Sequence, residues 1–553
     1  MIRVPENFRI AGYRKALSLV VWSFAVLTWS AEAVCQSPEL TRLFPLGGMR
    51  GTTVDVQLVG KFPDTALSFW MDSPGLRWEP QAVEGKKDLY KVTIDPTAEP
   101  GVRFFRAYDE KGASKLHRFV VGTIREVIEV EPNDTPKQAQ PIELDPILVN
   151  GVLQVRNDVD LFSVKVKANT VLVASVDAER DLASPLDACL QIVDHRGIVL
   201  AQNLDSHGLD PVIAWPVKAD GEVLVRVYGY PASPDSTISF AGGEDYGYRL
   251  TLTAGPYVSA TMPMAVTAGG EIQCQLFGFN LPLDATSKMF AAEGASSVAW
   301  SAATPVGRLV LPVTPHALLL EPEYRQRGTE GDLASTIPPS VVATPVVISG
   351  QVASTHETDA YRISAKKDES WRIRVDSRRL GYELDAVLTI HDASGKQLQR
   401  TDDVGSEVDP VLVWKAPADG EYEIRVFDLH GRGDPSFFYR LWIEPDKPEL
   451  AMRVDSDLYT GKVGEVLELA VSIDRRSGFA EAVKLKVLGL PESIVCEPVT
   501  SEVEGETAKT VKFKLDSKTA WNGPIRIESD PPMHRVVTTK TALEEIWLTI
   551  QAP

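Results

Sequence analysis

The sequence predicts an all-β protein made of tandem antiparallel β-sandwiches, jelly-roll-like and immunoglobulin-like in class. Two observations lead to this prediction. The periodic segments alternate apolar and polar residues with a period of two, and Gly, Pro, Asn or Asp bound each of them. Turn residues recur about every 8 to 12 residues, which is typical of sandwiches. Clear examples are TTVDVQLVG (52–60), DLFSVKVKA (160–168) and EYEIRVFDL (421–429).

The chain of 553 residues is too long for one hydrophobic core, and roughly 100 to 150 residues per domain suggests four or five domains. We therefore expect a signal peptide followed by five β-domains. The predicted units are the signal peptide (1–33), domain 1 (37–123, immunoglobulin-like), domain 2 (124–256, a larger sandwich), domain 3 (257–320, immunoglobulin-like), domain 4 (321–445, a larger sandwich) and domain 5 (446–553, immunoglobulin-like).

The N-terminus has the pattern of an export signal. A basic segment with Arg14 and Lys15 precedes the apolar run 16–29, and Ala31 and Ala33 are small residues of the kind found at a cleavage site. The run is shorter than the roughly 20 residues of a membrane span, and no later segment is apolar enough to be one. We expect a periplasmic, cell-surface or secreted protein. The alternatives are an uncleaved N-terminal anchor and a lipoprotein using Cys35.

The mature chain is acidic and poor in cysteine. Its formal charge is −19 before removal of the signal, which carries four bases and two acids, so about −21 remains. Such a surface repels nucleic acid and anionic membranes, which excludes them as expected partners. The four cysteines are too few and too scattered for a disulfide framework. Cys189 and Cys274 lie in strand-like runs, which predicts buried free thiols.

Domains 2 and 4 repeat one another at an offset of about 199 residues, which indicates a duplicated domain. The matched landmarks are Asp160 with Asp359, Asp187 with Asp385, Asp210 with Asp409, Trp215 with Trp414, Asp220 with Asp419, and Tyr248 with Tyr439. A weaker repeat relates residues 50–60 to 268–278, so a small domain precedes a larger one twice.

Two paired features of the repeat carry structural predictions. Asp220 with Gly221, and Asp419 with Gly420, predict tight hairpins, because glycine accepts positive φ without steric cost. Trp215 and Trp414 recur in apolar surroundings and are predicted to anchor the two cores.

The duplicated domain resembles the bacterial pre-peptidase C-terminal domain, a β-sandwich appended to many secreted peptidases and other exported proteins. The first copy carries this resemblance in EVEPNDT (129–135), NGVLQVRNDVDLFSV (150–164), SPLDACLQIVDHRG (184–197), ADGEVLVRVYGY (219–230) and YGYRLTL (246–252); the second carries it in TDAYRIS (358–364), ELDAVLTIHDASG (383–395) and PADGEYEIRV (417–426). The resemblance covers two fifths of the chain and implies a sandwich fold for both copies.

The remaining domains resemble immunoglobulin-like modules. FPLGGMRGTTVDVQLVG (44–60) in domain 1 looks like the IPT/TIG class, as does its weaker repeat in domain 3. Residues 464–494 of domain 5 are similar to immunoglobulin-like domains of bacterial surface proteins. None of these classes is itself an enzyme.

An acidic segment joins domains 1 and 2. Pro132 disfavours a helix at Glu131, and in an extended chain Glu129, Glu131 and Asn133 would project from one face. Asp134 adds a carboxylate, and Asp158 and Asp160 follow in what should be the first strand of the sandwich. Carboxylate, amide and carbonyl oxygens are the ligands that calcium prefers. The other interpretation is a linker whose acids face water.

The resemblance to the pre-peptidase C-terminal domain favours the calcium site over the linker whose acids face water. Collagen-binding members of the family, from secreted collagenases, bind calcium with an EPND linker and acids at the start of the sandwich. Carried over, this implies one calcium ion held by Glu129, Glu131, Asn133, Asp134 and Asp160, with Asn157 or Asp158 completing the site. The second linker, EPEYRQRGTEGDLAS (321–335), has Tyr324 and Arg325 instead of the Asn-Asp pair. Because Arg325 would repel a cation, we predict no equivalent site there despite Asp359.

Catalytic signatures were sought without success. The sequence contains no GxSxG, and the histidine of HETDA (356–360) lacks the second histidine of a zinc helix. We therefore predict no enzyme activity. The expected function is binding, adhesion or scaffolding on an extracellular protein or polysaccharide. The rivals are a secreted, peptidase-associated hydrolase with catalytic residues hidden in a β-domain, and a purely structural envelope protein.

Overall fold

The structure is a computed structural model that describes residues 37–62, 66–84, 87–231, 239–321, 340–403, 405, 408–539 and 543–552. The predicted signal peptide, Cys35, Tyr324 and Arg325 lie outside these residues. The described chain is all-β, as predicted, with strands throughout and only single turns of helix. Among these residues no helix is long and apolar enough to cross a bilayer.

Domain 1 packs a four-stranded and a five-stranded sheet around an apolar core. Strand order is β1-β3-β6-β5 in one sheet and β2-β9-β7-β4 in the other, with β8 paired to β7. Phe105 and Phe119 are fully buried between them. The strands are β1 (Glu39–Phe44), β2 (Gly47–Met49), β3 (Thr53–Lys61), β4 (Ser68–Met71), β5 (Leu76–Pro80), β6 (Leu89–Ile94), β7 (Gly101–Asp109), β8 (Gly112–Ala113) and β9 (His117–Gly122).

Domain 2 is a sandwich of two five-stranded sheets, β10-β12-β19-β14-β17 and β11-β13-β18-β15-β16. Its core joins residues of both sheets, such as Phe162 and Tyr248. The elements are β10 (Arg125–Ile128), β11 (Gln140–Ile142), β12 (Ile147–Val152), β13 (Val159–Val166), β14 (Val171–Asp177), α1 (Glu179–Leu182), β15 (Ala188–Val193), β16 (Val199–Asn203), β17 (Val212–Pro216), β18 (Gly221–Gly229) and β19 (Gly247–Thr253).

Domain 3 is smaller, and its strands join in one path, β21-β25-β20-β22-β23, with β24 paired to β25. Cys274 and Met289 lie in its core. The strands are β20 (Tyr257–Met262), β21 (Val266–Thr267), β22 (Glu271–Phe279), β23 (Thr286–Phe290), β24 (Ser297–Ala303) and β25 (Val306–Thr314).

Domain 4 repeats the strand order of domain 2, with sheets β26-β28-β35-β30-β33 and β27-β29-β34-β31-β32. The matched sequence landmarks therefore lie in one shared topology. The elements are β26 (Ala317–Leu320), β27 (Ser340–Val341), β28 (Val346–Gln351), β29 (Thr358–Ala365), β30 (Ser370–Asp376), a 3₁₀ turn (Arg378–Leu380), β31 (Ala386–Asp392), β32 (Gln397–Thr401), β33 (Val411–Lys415), β34 (Gly420–Asp428) and β35 (Phe438–Pro445).

Domain 5 packs the sheets β40-β42-β38-β36-β44 and β37-β45-β43-β39-β41. Residues of β42 alternate strictly between exposed and buried, as the period-two pattern predicts. The elements are β36 (Glu449–Val454), β37 (Leu458–Lys462), β38 (Leu467–Arg476), β39 (Val483–Leu488), β40 (Ile494–Val495), β41 (Val499–Ser501), a 3₁₀ turn (Glu506–Ala508), β42 (Thr510–Ser517), β43 (Trp521–Ser529), β44 (Val537–Thr538) and β45 (Ile546–Gln551).

Some sequence predictions hold in detail and others do not. Trp414 is buried in the core of domain 4, Trp215 packs at the edge of the domain 2 core, and Cys189 and Cys274 are buried free thiols. Strand β26, which the sequence placed at the end of domain 3, instead pairs in parallel with β28 of domain 4. The apolar residues of β26 do not by themselves determine whether the strand joins the sheet of domain 3 or that of domain 4.

The predicted hairpins at Gly221 and Gly420 are wrong. Strands β17 and β18 belong to different sheets of domain 2, so the turn between them is a crossover. Neither glycine has a positive φ. The aspartate is what the turn requires, since Asp220 accepts a hydrogen bond from the Ala168 N–H at 2.7 Å and Asp419 accepts one from the Lys367 N–H at 2.7 Å.

Contacts between domains form a closed path that includes the first and last domains. Arg118 of domain 1 donates to the Arg180 carbonyl of domain 2. The other contacts are Asn280 with the Val171 carbonyl (domains 3 and 2), Met264 N–H with Ser349 (domains 3 and 4), Arg372 with Glu449 (domains 4 and 5) and Arg106 with Asp457 (domains 1 and 5). The last of these joins residues 351 positions apart.

Candidate metal centre

The acidic segment lies against the first long strand of domain 2. After β10 the chain bends at Glu131, and the Asn133 carbonyl accepts a hydrogen bond from the Leu161 N–H of β13 at 3.1 Å. The segment is therefore not the straight extended chain that the sequence predicted. Because of the bend, alternate side chains do not share one face.

Three carboxylates meet at this place. One oxygen each of Glu131, Asp158 and Asp160 lies within 4.8 Å of the others. Asp160 is fully buried and Asp158 is 4 % exposed, whereas Glu131 is at the surface. Burial raises the pKa of both Glu131 and Asp158, and Asp158 adds to the effect on Glu131. Proximity of three acids without a basic partner costs free energy unless a proton or a cation neutralises them.

Asn133 gives this cluster a fourth oxygen. Its N–H donates to Glu131 at 3.0 Å, which fixes it beside the carboxylates. Its side chain is fully buried, and within the described chain neither Oδ1 nor Nδ2 has a hydrogen-bond partner. Oδ1 of Asp160 is likewise buried without a hydrogen-bond partner in the described chain. Buried polar atoms without partners are rare in folded proteins, so the Asn133 amide and Oδ1 of Asp160 are free to bind a ligand.

Glu129 lies on the other side of Asp160. It accepts the Val152 N–H at 2.7 Å, and the Tyr248 hydroxyl lies 3.3 Å from it and 2.5 Å from Asp160. Burial raises the pKa of Glu129 to about 10, and the Asp160 carboxylate adds to this effect. The pKa of Asp160 rises to about 7, because burial outweighs the bonds from Tyr248 and Glu129. Burial and the neighbouring carboxylate thus both favour the neutral form of Glu129.

The structure separates the remaining sequence candidates. Asp134 is exposed near Asp158 and can approach the cluster from solvent. Oδ1 of Asn157 accepts the Phe240 N–H at 2.9 Å, so Asn157 is used to hold another loop. Of the two residues proposed to complete the site, Asp158 is the one that joins it. The oxygen-only donor set of Glu131, Asn133, Asp158 and Asp160 matches the chemistry of calcium.

Tyr248 was missed by the sequence reasoning, although its repetition in domain 4 was a signal. A polar hydroxyl recurring inside an apolar strand must have a buried partner. Gly151 lies opposite Tyr248 in the β12–β19 pair. A Cβ at Gly151 would lie 2.2 Å from the Tyr248 ring and 2.6 Å from Glu129. The glycine therefore leaves the space that the tyrosine needs to reach the acids.

Substituting Gly151→Ala should displace Tyr248 and destabilise domain 2 by about 1 to 3 kcal/mol, the usual cost of overpacking. Thermal unfolding monitored by tyrosine and tryptophan fluorescence would measure the change. Gly221→Ala is the matched control, because a Cβ there meets no atom within 4 Å. If both variants unfold at the same temperature, the assigned role of Gly151 is wrong.

Domain 4 carries a related cluster, formed by Glu321, Glu357 and Asp359. Asp359 accepts the Tyr439 hydroxyl at 2.6 Å, and Glu321 accepts the Gln351 N–H at 2.9 Å. Burial raises the pKa of Glu321 to about 9, with Asp359 adding to it. These acids are the counterparts of Glu129, Asp158 and Asp160. The linker that would complete the site lies outside the described residues, so the predicted absence of a second site stays a prediction.

Comparisons with known proteins give short or distant matches. No protein-family model matches the chain. A probable subtilase-type serine protease of Deinococcus radiodurans is 36% identical over 98 residues, which are 18% of this chain and 14% of that protein. The pre-peptidase C-terminal domain of a Bacillus anthracis collagenase matches whole over 20% of this chain, at 17% identity and a TM-score of 0.16.

A third match is a protein of the Bacteroides ovatus mixed-linkage glucan utilization locus, solved with a mixed-linkage heptasaccharide. It is 9% identical, covers 74% of each chain and has a TM-score of 0.15. These values do not assign a function to this chain.

Proposed function

We propose that this chain is an exported, non-catalytic binding or scaffold protein of the cell exterior, and that its first pre-peptidase C-terminal-like sandwich holds one calcium ion. The observation that carries the calcium proposal is the oxygen cluster of Glu131, Asn133, Asp158 and Asp160, in which the Asn133 amide and Oδ1 of Asp160 are buried and have no hydrogen-bond partner within the described residues. A cation there would neutralise the acids and tie the domain 1–2 linker to β13.

The scaffold proposal is supported by the way the domains are joined. Domain 2 and domain 4 each contact domain 3 through specific hydrogen bonds, and domain 1 contacts domain 5 through a buried arginine. Such contacts hold several β-domains in fixed relative positions, which suits the presentation of strand faces and end loops to a partner. The partner we propose is an extracellular protein or polysaccharide.

The proposal is tested by asking whether the chain retains an extracellular ligand without converting it to products. The exported chain, immobilised in calcium or in chelator, would be incubated with polysaccharide and protein fractions from the envelope of the producing organism. We expect one fraction to be retained in calcium, less in chelator, and eluted unchanged in mass. Release of shortened protein or glycan products that a single Ser or His substitution abolishes would instead establish the hydrolase.

A further inference from the structure

A cavity of about 130 Å³ lies where domains 1, 2 and 3 meet. Its wall includes the end of β9 in domain 1, Asp177, Arg180 and His207 of domain 2, and Tyr257 and Arg308 of domain 3. Charged and polar side chains from separate domains thus converge on one partly open space. This cavity is separate from the acidic cluster.

The repeated domain shows what is unusual about Asp177. Its counterpart in domain 4 is Asp376, since each aspartate ends the equivalent strand and lies opposite an arginine of the neighbouring strand. Oδ2 of Asp376 accepts hydrogen bonds from Nε and Nη2 of Arg440, at 3.0 and 2.8 Å, and from Nε1 of Trp442 at 2.7 Å. The aspartate of domain 4 is therefore held through Oδ2, and its Oδ1 lies 3.4 Å from Nε of Arg379.

In domain 2, Asp177 lacks both the arginine and the tryptophan partner that Asp376 has. Thr251 stands where domain 4 has Trp442. Arg249, the counterpart of Arg440, points away from Asp177 and binds Glu126 at 2.6 and 3.0 Å. Glu126 itself corresponds to Leu318 of domain 4, which cannot attract an arginine. Across the described residues, the side chain of Asp177 has no hydrogen bond or ion pair, and it lines the cavity.

Arg180 and Arg308 lie close enough to attract the Asp177 carboxylate, but in the described structure neither forms an ion pair or hydrogen bond with it. Arg308 is already paired with Asp181. Burial lowers the pKa of His207 to about 4, so that its ring is neutral at neutral pH. Burial, followed by the Asp181 carboxylate, raises the pKa of Asp177 to about 7. Arg180 lines the same cavity, and in the described structure its guanidinium forms no ion pair or hydrogen bond.

We propose that this cavity binds a small zwitterion of amino-acid size, with its ammonium group on Asp177 and its carboxylate on Arg180. In domain 4 the equivalent aspartate is paired with a cation and with an N–H donor. Asp177 has neither of these partners, and an ammonium group supplies both. A cavity of about 150 Å³ holds a molecule as large as benzene, so the space here suits a short amino acid. The site lies between domains and would link their positions to the ligand.

Isothermal titration of the full exported chain with glycine, L-alanine and glycylglycine tests the proposal. We expect at least one of these probes to bind with one ligand per chain. N-acetyl-L-alanine, which lacks the ammonium group, and L-alaninamide, which lacks the carboxylate, should each bind at least about tenfold more weakly than L-alanine. Binding of none of the three zwitterions, or equal binding of both analogues, would overturn the proposal.

Two variants locate the site. Asp177→Asn should abolish the binding. Glu126→Leu should weaken it, because Arg249, which also lines the cavity, is then free to pair with Asp177 as Arg440 does with Asp376 in domain 4. Glu222→Leu, at an exposed position of the same domain, is the control and should bind as the unaltered chain does. Binding that persists in both Asp177→Asn and Glu126→Leu would place the ligand elsewhere and refute the assignment.

Discussion

Replacing Arg106 by alanine is expected to separate domain 1 from domain 5 and to expand the protein. Arg106 is only 2% exposed, and its guanidinium binds Oδ2 of Asp457 at 2.6 Å and the Asp457 carbonyl at 3.1 Å. It also donates to the Ser114 carbonyl at 2.9 Å within domain 1. Removing one partner of a fully buried ion pair costs about 3 to 5 kcal/mol, and the cost here should be smaller because Asp457 is 31% exposed and can be solvated.

The expansion follows from the position of this contact in the chain. Domains 1 and 5 are the first and last domains of the described protein. Each is joined to its neighbour by a linker, and the contacts between domains 1 and 5 hold them together in addition. Besides Arg106, they include Asn522 donating to the Asp109 carbonyl at 2.6 Å and the Trp547 ring 5.0 Å from that of Tyr108. Once Arg106 is gone, we expect these smaller contacts to open transiently.

Small-angle scattering would show the opening as a larger radius of gyration, and hydrogen exchange would show faster exchange in β8 and β45. Arg77→Ala is the matched control, because Arg77 is an exposed arginine of domain 1 whose ionic partner, Glu79, lies in the same domain. A double-mutant cycle with Asp457→Ala would give the coupling between the two side chains. An unchanged scattering profile for Arg106→Ala would mean that the closure does not depend on this pair.

Much of the fold could be predicted from the sequence, because a strand needs only local alternation and a turn needs only a few residue types. The alternation in β42 and the matched landmarks of domains 2 and 4 are properties of short segments and of their comparison. The position of β26 was missed for the same reason. Its four apolar residues suit either neighbouring sheet, and only the three-dimensional pairing with β28 decides between them.

The candidate site was predicted in part. Acidic and amide oxygens near the start of a sandwich were enough to identify Asp158, Asp160 and Asn133, which lie together. Glu129 was included because the family resemblance implies it and because a straight chain would align it with Glu131. The bend in the linker removes that alignment, and binding of an ion by Glu129 stays a prediction. The arginine that joins domain 1 to domain 5 could not be predicted, since its partner lies 351 residues away and no local pattern connects them.

Calcium is expected to raise the unfolding temperature of domain 2 and to do so through one site. A ligand that binds only the folded state adds RT ln(1 + [L]/Kd), about 2.7 kcal/mol at a concentration of 100 Kd. Glu131→Gln should remove most of this effect while keeping an acceptor for the Asn133 N–H, so that the variant still folds. Asp160→Asn should remove it as well. Thermal unfolding in millimolar calcium and in chelator provides the measurement.

Domain 4 supplies the matched control for these variants. Asp359→Asn changes the equivalent aspartate of the second copy, and we expect it to leave the calcium effect and a stoichiometry of one ion unchanged. Two ions per chain, with one lost in Asp359→Asn, would show that Arg325 does not prevent binding in the second linker. If calcium shifts the transition equally in Glu131→Gln, Asp160→Asn and the unaltered chain, the ion binds elsewhere.

The dependence on pH gives a separate test of the same cluster. Because the folded-state pKa of Asp160 is raised to about 7, its proton contributes stability at low pH that is lost as the pH rises through about 4 to 7. Calcium replaces that proton, so the ion should bind more tightly at pH 8 than at pH 6 and release protons on binding. The calcium-free chain should lose stability over this range, and the calcium-bound chain should lose less. Asp160→Asn has no such proton to exchange, and proton release measured in two buffers of different ionisation enthalpy should fall in that variant.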